Sequence, residues 1–232
     1  MTSTLDGFEE GLIDLAGKNE NVVLLHADMS ASCGVTLFEE KFPERCFNCG
    51  VSEQDMILTA AGLSLTGKIP FACSLAAFMA PRAFDQIRSS LSIPGLSAVL
   101  AGTCSGLSAG EDGVSHQMNQ DIAIMRSLPR MTVLVPADAP SALSMVSMAA
   151  SIHGPVYIRL GSEKVEEVEV LAGSEMKIGG GHLLREGDGV TICACGIMVH
   201  EALRAADILS RQGISAEVLD CFSLKPLPAP LI

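Results

Sequence analysis

Short aliphatic runs alternate along this chain with longer segments whose apolar residues recur at helical spacing, and this alternation narrows the fold more than any other feature. Leu5, Phe8, Leu12, Leu15 and Ala16 mark one face of an opening helix. Val22-Val23-Leu24-Leu25 follows as a buried strand ending at His26-Ala27-Asp28. Strand-like runs recur at 46–48, 69–74, 98–101, 132–135 and 156–159, with helices expected at 82–91, 120–127 and 140–151. Such strands, separated by helices, specify an α/β fold: a mostly parallel sheet with helices on both faces. A second, partial α/β unit is expected to follow, with strands near 182–186, 190–194 and 216–219 and a helix over 200–212. Between the two units, Glu163, Glu166, Glu167, Glu169 and Glu175 crowd one short stretch that reads as an exposed linker. The expected division is therefore a first domain over 1–161, an acidic linker over 162–178 and the first part of a second domain over 179–232.

Composition limits what such a chain can bind. A hydrophobic fraction of 48% supplies ample buried strand, while 18% charged residues and no Trp leave Ala, Met and Ser to cover much of the surface, as in a subunit that packs against partners. A formal charge of −12 opposes nucleic acid or anionic membrane as partner, since both call for clustered Lys and Arg. The amino terminus lacks the pattern of a secretory signal and no apolar stretch is long enough to span a bilayer, so a cytoplasmic protein is expected. Among the eight cysteines, Cys46 and Cys49 have C-x-x-C spacing, but no second ligand pair follows and the pair lies in a strand instead of opening a helix. Buried reduced thiols acting as small hydrophobes are expected, and no metal ligand is assigned on this chain.

The run Gly50-Val51-Ser52-Glu53-Gln54-Asp55-Met56 places a carboxylate in the first turn of a helix that follows a short strand. Ser52 and Asp55 have the spacing of a capping box, which puts Glu53 at the first helical position, where unpaired amides favour negative charge. Met56, Ile57, Ala60, Leu63 and Leu65 supply the apolar face of that helix. A carboxylate so placed can form a strong, proton-sharing bond with a ligand nitrogen; taken alone, the run equally describes a capped helix with its Glu in solvent.

Two further segments add to it. Together with 50–56, the stretch Phe78-Met79-Ala80-Pro81-Arg82-Ala83-Phe84-Asp85-Gln86-Ile87-Arg88 and the loop Gly110-Glu111-Asp112-Gly113-Val114-Ser115-His116-Gln117 resemble the pyrimidine-binding domain of transketolases, above all the split enzymes whose carboxy-terminal half is a separate chain. The resemblance extends to Leu224-Lys225-Pro226-Leu227. It implies the thiamine diphosphate-binding pyrimidine-domain fold and assigns roles. Glu53 would hydrogen-bond the aminopyrimidine ring nitrogen of thiamine diphosphate and favour the imino tautomer that activates the thiazolium. Phe78 would stack on the pyrimidine, and Asp28 would lie near the cofactor at a subunit interface. Asp112 would contact a sugar hydroxyl, and His116 would stand beside the substrate hydroxyls as a proton carrier. Gln86 and Arg88 are read as structural. The resemblance also implies an amino-terminal transketolase subunit that holds the diphosphate and a Mg2+ or Ca2+ ion, in a two-plus-two heterotetramer. Gly187-Asp188-Gly189 echoes the metal motif of that partner, but its neighbours make it a hairpin turn. Because the second domain in the family continues past the equivalent of Ile232, a truncated sequence is expected.

The departures fall at one end of the implied site. Thr103-Cys104-Ser105 and Gly161-Ser162-Glu163 stand where relatives commonly carry His and Arg that contact the substrate phosphate. Replacement by Cys104 and Ser162 removes two cationic donors and points to a modified, non-phosphorylated or sulfonated sugar, or to a phosphate held differently; Arg159 remains nearby. The expected activity is transfer of a two-carbon ketol unit between a ketose and an aldose, by a chain inactive on its own. Two alternatives remain open here. One is a 1-deoxyxylulose-phosphate synthase-like or 2-oxo acid dehydrogenase β-like subunit. The other is a non-catalytic structural or regulatory partner of a thiamine diphosphate-binding amino-terminal subunit.

Overall fold

A computed structural model describes residues 1–107, 109–168 and 176–232. In chain order the elements are β1 (Thr2–Ser3), α1 (Thr4–Lys18), β2 (Val22–His26), α2 (Thr36–Lys41), β3 (Cys46–Asn48), α3 (Glu53–Leu65), β4 (Ile69–Leu75), α4 (Ala76–Arg82), α5 (Phe84–Gln86), β5 (Ala98–Thr103), α6 (Asp121–Ser127), β6 (Thr132–Leu134), α7 (Ala139–Ala150), β7 (Pro155–Arg159), β8 (Lys164–Val165), β9 (His182–Arg185), β10 (Val190–Ala194), α8 (Met198–Ser210), β11 (Ala216–Asp220) and β12 (Ser223–Lys225). The principal sheet has the order β12-β6-β7-β5-β4-β2-β3. Its first six strands by sequence all pair with one another in parallel, and β12 joins the edge antiparallel to β6.

Strand residues alternate between two cores, as the period of two requires. Leu24, Phe71, Val99, Ala101, Val156 and Ile158 face α1, α2 and α7, where Phe8, Leu12, Phe38 and Met145 are buried. Leu25, Ala72, Leu100 and Tyr157 face the other way, onto Met56 and Ile57 of α3, Met79 of α4 and Met125 of α6. Helices thus cover both faces, as expected from doubly apolar strands. The helix pair α1 and α7 packs closely because Gly7 has no side chain: a Cβ there would lie 2.1 Å from the carbonyl oxygen of Ala139.

Several expectations are corrected. The helix expected over 82–91 begins earlier: α4 runs through Pro81 to Arg82, and α5 leads directly into a π-helical stretch, Ile87–Ser92. The acidic segment keeps Glu163, Glu166 and Glu167 exposed, as expected, and its described part is also tied to the first domain. Lys164 and Val165 pair with Ser3 and Thr2, and the buried Val168 donates its N–H to Asp138 Oδ2 at 2.9 Å. Glu169 and Glu175 lie outside the described residues. In the three-stranded sheet β10-β11-β9, β10 and β9 flank β11, so Gly187-Asp188-Gly189 is not a hairpin turn but a crossover past the start of β11. Gly187 passes so near that strand that a Cβ would sit 2.3 Å from the Ala216 carbonyl carbon.

Candidate functional site

The carboxyl ends of β2 and β3 prepare the site. Asn48, the last residue of β3, accepts the N–H of Asp28 at 3.1 Å and that of Gly50 at 2.9 Å on Oδ1, and donates from Nδ2 to Asp28 Oδ1 at 2.8 Å. Asp28 is held at φ 59, a left-handed conformation that a short polar side chain tolerates when it is bonded locally. Gly50 turns the chain at φ 69, and α3 begins at Glu53 as expected. The capping box does not form: Ser52 is the N-cap residue, but its side chain bonds none of the first amides, at backbone angles of −147° and 71°.

Glu53 is completely buried. A buried carboxylate needs compensation, which two residues beyond β4's midpoint supply: Arg82 Nη1 donates to Oε2 at 2.5 Å and Ser74 Oγ donates to Oε1 at 3.2 Å. The solvated reading of Glu53 is therefore excluded. Arg82 ends α4 with its guanidinium 4.7 Å from the centre of the Phe78 ring, a cation–π distance. The Phe78 ring meets His116 edge-on, with centroids 5.2 Å apart and an interplanar angle of 71°. Ser115 Oγ and His116 Nδ1 are 2.9 Å apart. The loop bearing His116 is closed at its base by paired backbone bonds between Gly106 and Met118, both 2.8 Å.

Three of the five expected residues, Glu53, Phe78 and His116, are thus brought together through Arg82. Asp28 lies exposed at the end of β2 and, among the described residues, is joined to the group through Asn48 and the Gly50 turn. Asp112 is exposed in the 3-10 turn Gly110–Asp112, outside this contact chain. Gln86 sits half-buried and Arg88 exposed, away from the contact chain. Sequence reasoning missed Arg82, Ser74 and Asn48. A signal for Arg82 was present, since a carboxylate placed in a buried helix start demands a cation and Arg82 belongs to the quoted motif.

Cys104 and Ser162 face one another, with Sγ and Oγ 3.9 Å apart. Arg159 does not join them. Its Nε donates to Oδ2 of the buried Asp121 at 2.8 Å and its Nη2 to the Met118 carbonyl at 3.4 Å, while Tyr157 donates its hydroxyl to the same Asp121 oxygen at 2.9 Å. This cation is committed to the base of the His116 loop. All eight cysteines are free thiols, and burial pushes Cys33 up to about 12 and Cys46 up to about 11, so both remain protonated at neutral pH.

Comparison with known proteins agrees with this fold. Residues 1–167 match the family model for the transketolase pyrimidine binding domain, and residues 179–232 match that for the transketolase C-terminal domain. A protein of Methanocaldococcus jannaschii described as a putative transketolase C-terminal section is 44% identical over 227 residues, covering 97% of this chain and 72% of its own length. The 6-deoxy-6-sulfo-D-fructose transketolase subunit SqwH of Clostridium sp. is 40% identical, covering 95% of this chain and 68% of that one. A solved structure titled as a split gene transketolase, inactive beta4 tetramer, superposes with a TM-score of 0.90 at 45% identity over 99% of this chain and 75% of the other.

Proposed function

This chain belongs to the transketolase family, and from that premise we propose that it is the carboxy-terminal subunit of a split transketolase, transferring a two-carbon ketol unit between a ketose and an aldose once joined to an amino-terminal subunit. The observation that carries the reading is the complete burial of Glu53 at the start of α3, with Phe78, Arg82 and His116 gathered beside it. A buried carboxylate beside a half-buried aromatic face fits a flat, nitrogen-containing ring. Thiamine diphosphate, when bound, supplies a thiazolium that stabilises carbanion character at the substrate carbon.

The chain's own residues then have defined tasks. Glu53 holds a proton at the ring nitrogen through a carboxylate oxygen, while Arg82 and Ser74 fix that carboxylate in place. Phe78 orients the ring, and Asp28 borders it at the subunit interface. His116 moves a proton at a substrate hydroxyl near neutral pH, with Asp112 accepting a hydrogen bond from another. The diphosphate and its Mg2+ or Ca2+ are assigned to the partner. The same reading divides the chain into a pyrimidine-binding domain over 1–161, a connecting segment over 162–178 and C-terminal-domain sequence from 179. It places the protein in the cytoplasm as part of a two-plus-two assembly. In support, no helix among the described residues is long and apolar enough to cross a membrane, and the solved relative's title names a tetramer of beta chains that is inactive.

The sugar's far end meets Cys104 and Ser162 where two cations are absent, and one relative's name specifies a sulfonated fructose. A non-phosphorylated or sulfonated ketose is the proposed donor. The test is ketol transfer by the mixed subunits with matched phosphorylated and non-phosphorylated ketoses. The double substitution Cys104→His and Ser162→Arg is expected to raise kcat/KM for the phosphorylated ketose relative to the other by about a hundredfold or more, since each of the two new charged hydrogen bonds contributes ~1.5–3 kcal/mol. An unchanged ratio would remove these two positions from substrate selection.

A further inference from the structure

On the opposite face of the sheet from α3, three elements bring together side chains that the site above does not use. His26 ends β2, Glu39 lies in α2 and Cys46 opens β3. Parallel pairing sets Leu24 beside Cys46, and His26 follows Leu24 by two residues, so Cys46 and His26 point to the same face of the sheet. On that face Leu24 and Cys46 pack in one core with Phe38 of α2, whose neighbour is Glu39. His26 Nε2, a Glu39 carboxylate oxygen and Cys46 Sγ all lie within 4.8 Å of one another, and His26 Nε2 is 3.8 Å from Glu39 Oε1. His26 is only 2% exposed, and its Nε2 has no hydrogen-bond partner among the described residues. A buried polar atom left unsatisfied is destabilising, so this ring nitrogen, aimed between a carboxylate and a thiol, calls for a partner.

We propose that His26, Glu39 and Cys46 form a site for one divalent transition-metal ion of the zinc type, with water as fourth ligand. The mixed nitrogen, oxygen and sulfur donors select a borderline-soft ion over Mg2+ or Ca2+, which take oxygen, and the site is separate from the metal assigned to the partner subunit. Bond lengths of about 2.0–2.3 Å around a tetrahedral ion set donors roughly 3.3–3.6 Å apart, so the side chains close inward by about an ångström on loading. Glu39, with 43% of its side chain exposed, has the freedom to do so, and its open side admits the water. Loading also costs a bond. Met29 N–H donates to His26 Nδ1 at 3.3 Å, and a metal on Nε2 moves the imidazole proton to Nδ1. On loading, two N–H groups would face one another there, so the His26 ring or the Met29 peptide shifts to relieve them. The Cys46 thiol binds as thiolate and releases its proton to solvent.

The ion would clip α2 and the edge strand β3 to β2. Asp28 and Asn48, each two residues beyond a ligand, carry the hydrogen bonds that fix the Gly50 turn, so the clip braces the sheet end from which the Glu53 helix departs. The test uses the full chain, stripped with a chelator and titrated with Co2+ and then Zn2+. One equivalent of Co2+ should produce a thiolate-to-cobalt charge-transfer band that Zn2+ abolishes. Cys46→Ser should remove the band, and Glu39→Gln and His26→Asn should each weaken binding about tenfold or more. Because Glu39 is half-exposed, Glu39→Gln leaves the fold intact and keeps the test decisive. No band with stoichiometric Co2+, a band surviving Cys46→Ser, or unchanged affinity in Glu39→Gln would overturn the proposal.

Discussion

Replacing Glu53 by glutamine is expected to lower kcat for ketol transfer in the reconstituted complex by about 10²–10⁴-fold, the range for a lost proton-handling group. The side chain keeps its shape, so the fold should survive. The bond to Arg82 is weakened, yet that guanidinium is 41% exposed and regains water, which limits the stability cost to about 1 kcal/mol. The pairing with Arg82 and Ser74 explains why a carboxylate persists at a position with no solvent contact. Kinetics and thermal melting of the same variant separate the roles: a large fall in kcat with a near-native melting temperature marks Glu53 as part of the chemistry. Unchanged turnover would favour the non-catalytic partner, which retains the fold without using the site.

The second large effect concerns stability. Asp121→Ala should destabilise the chain by about 3–5 kcal/mol and lower its melting temperature by on the order of 10 °C, because it strands the Arg159 cation and the Tyr157 hydroxyl. Asp121 is fully buried and receives both donors on one oxygen. Arg159 also reaches the Met118 carbonyl, which closes the loop carrying His116, so activity should fall along with stability. A urea or thermal melt is the check, and a shift within about 2 °C would mean that the pair is replaced without loss by solvent.

The parallel sheet was legible because a strand buried on both faces must be a continuous apolar run, as Val22-Val23-Leu24-Leu25 is. Glu53's position was legible for a related reason: the glycine turn and the apolar face after it set the helix start. The helix α4 was not, because Pro81 lies inside it and reads as a break, although the proline falls in its last turn. The pairing of β12 with β6 and of β1 with β8 was hidden because strands of two or three residues carry no periodic signal. The crossover at Gly187-Asp188-Gly189 shows the limit of turn chemistry, which identifies a reversal but not whether the flanking strands pair or enclose a third. Long-range partners were the least visible. The buried helix start at Glu53 calls for a cation without saying which one, and nothing near Cys46 announces His26, because a fold, not a spacing, brings them together.

In the proposed function this chain supplies the pyrimidine end of a cofactor site completed by another subunit. The most direct measurement is calorimetric titration of thiamine diphosphate, with Mg2+ present, into this chain, into its amino-terminal partner and into their mixture. One site per subunit pair is expected, with no saturable binding to this chain alone and affinity for the mixture at least about tenfold above that of the partner, falling again with Phe78→Ala because stacking on one aromatic ring contributes ~1–3 kcal/mol. Equal affinity for the partner and the mixture, or full affinity with Phe78→Ala, would contradict it.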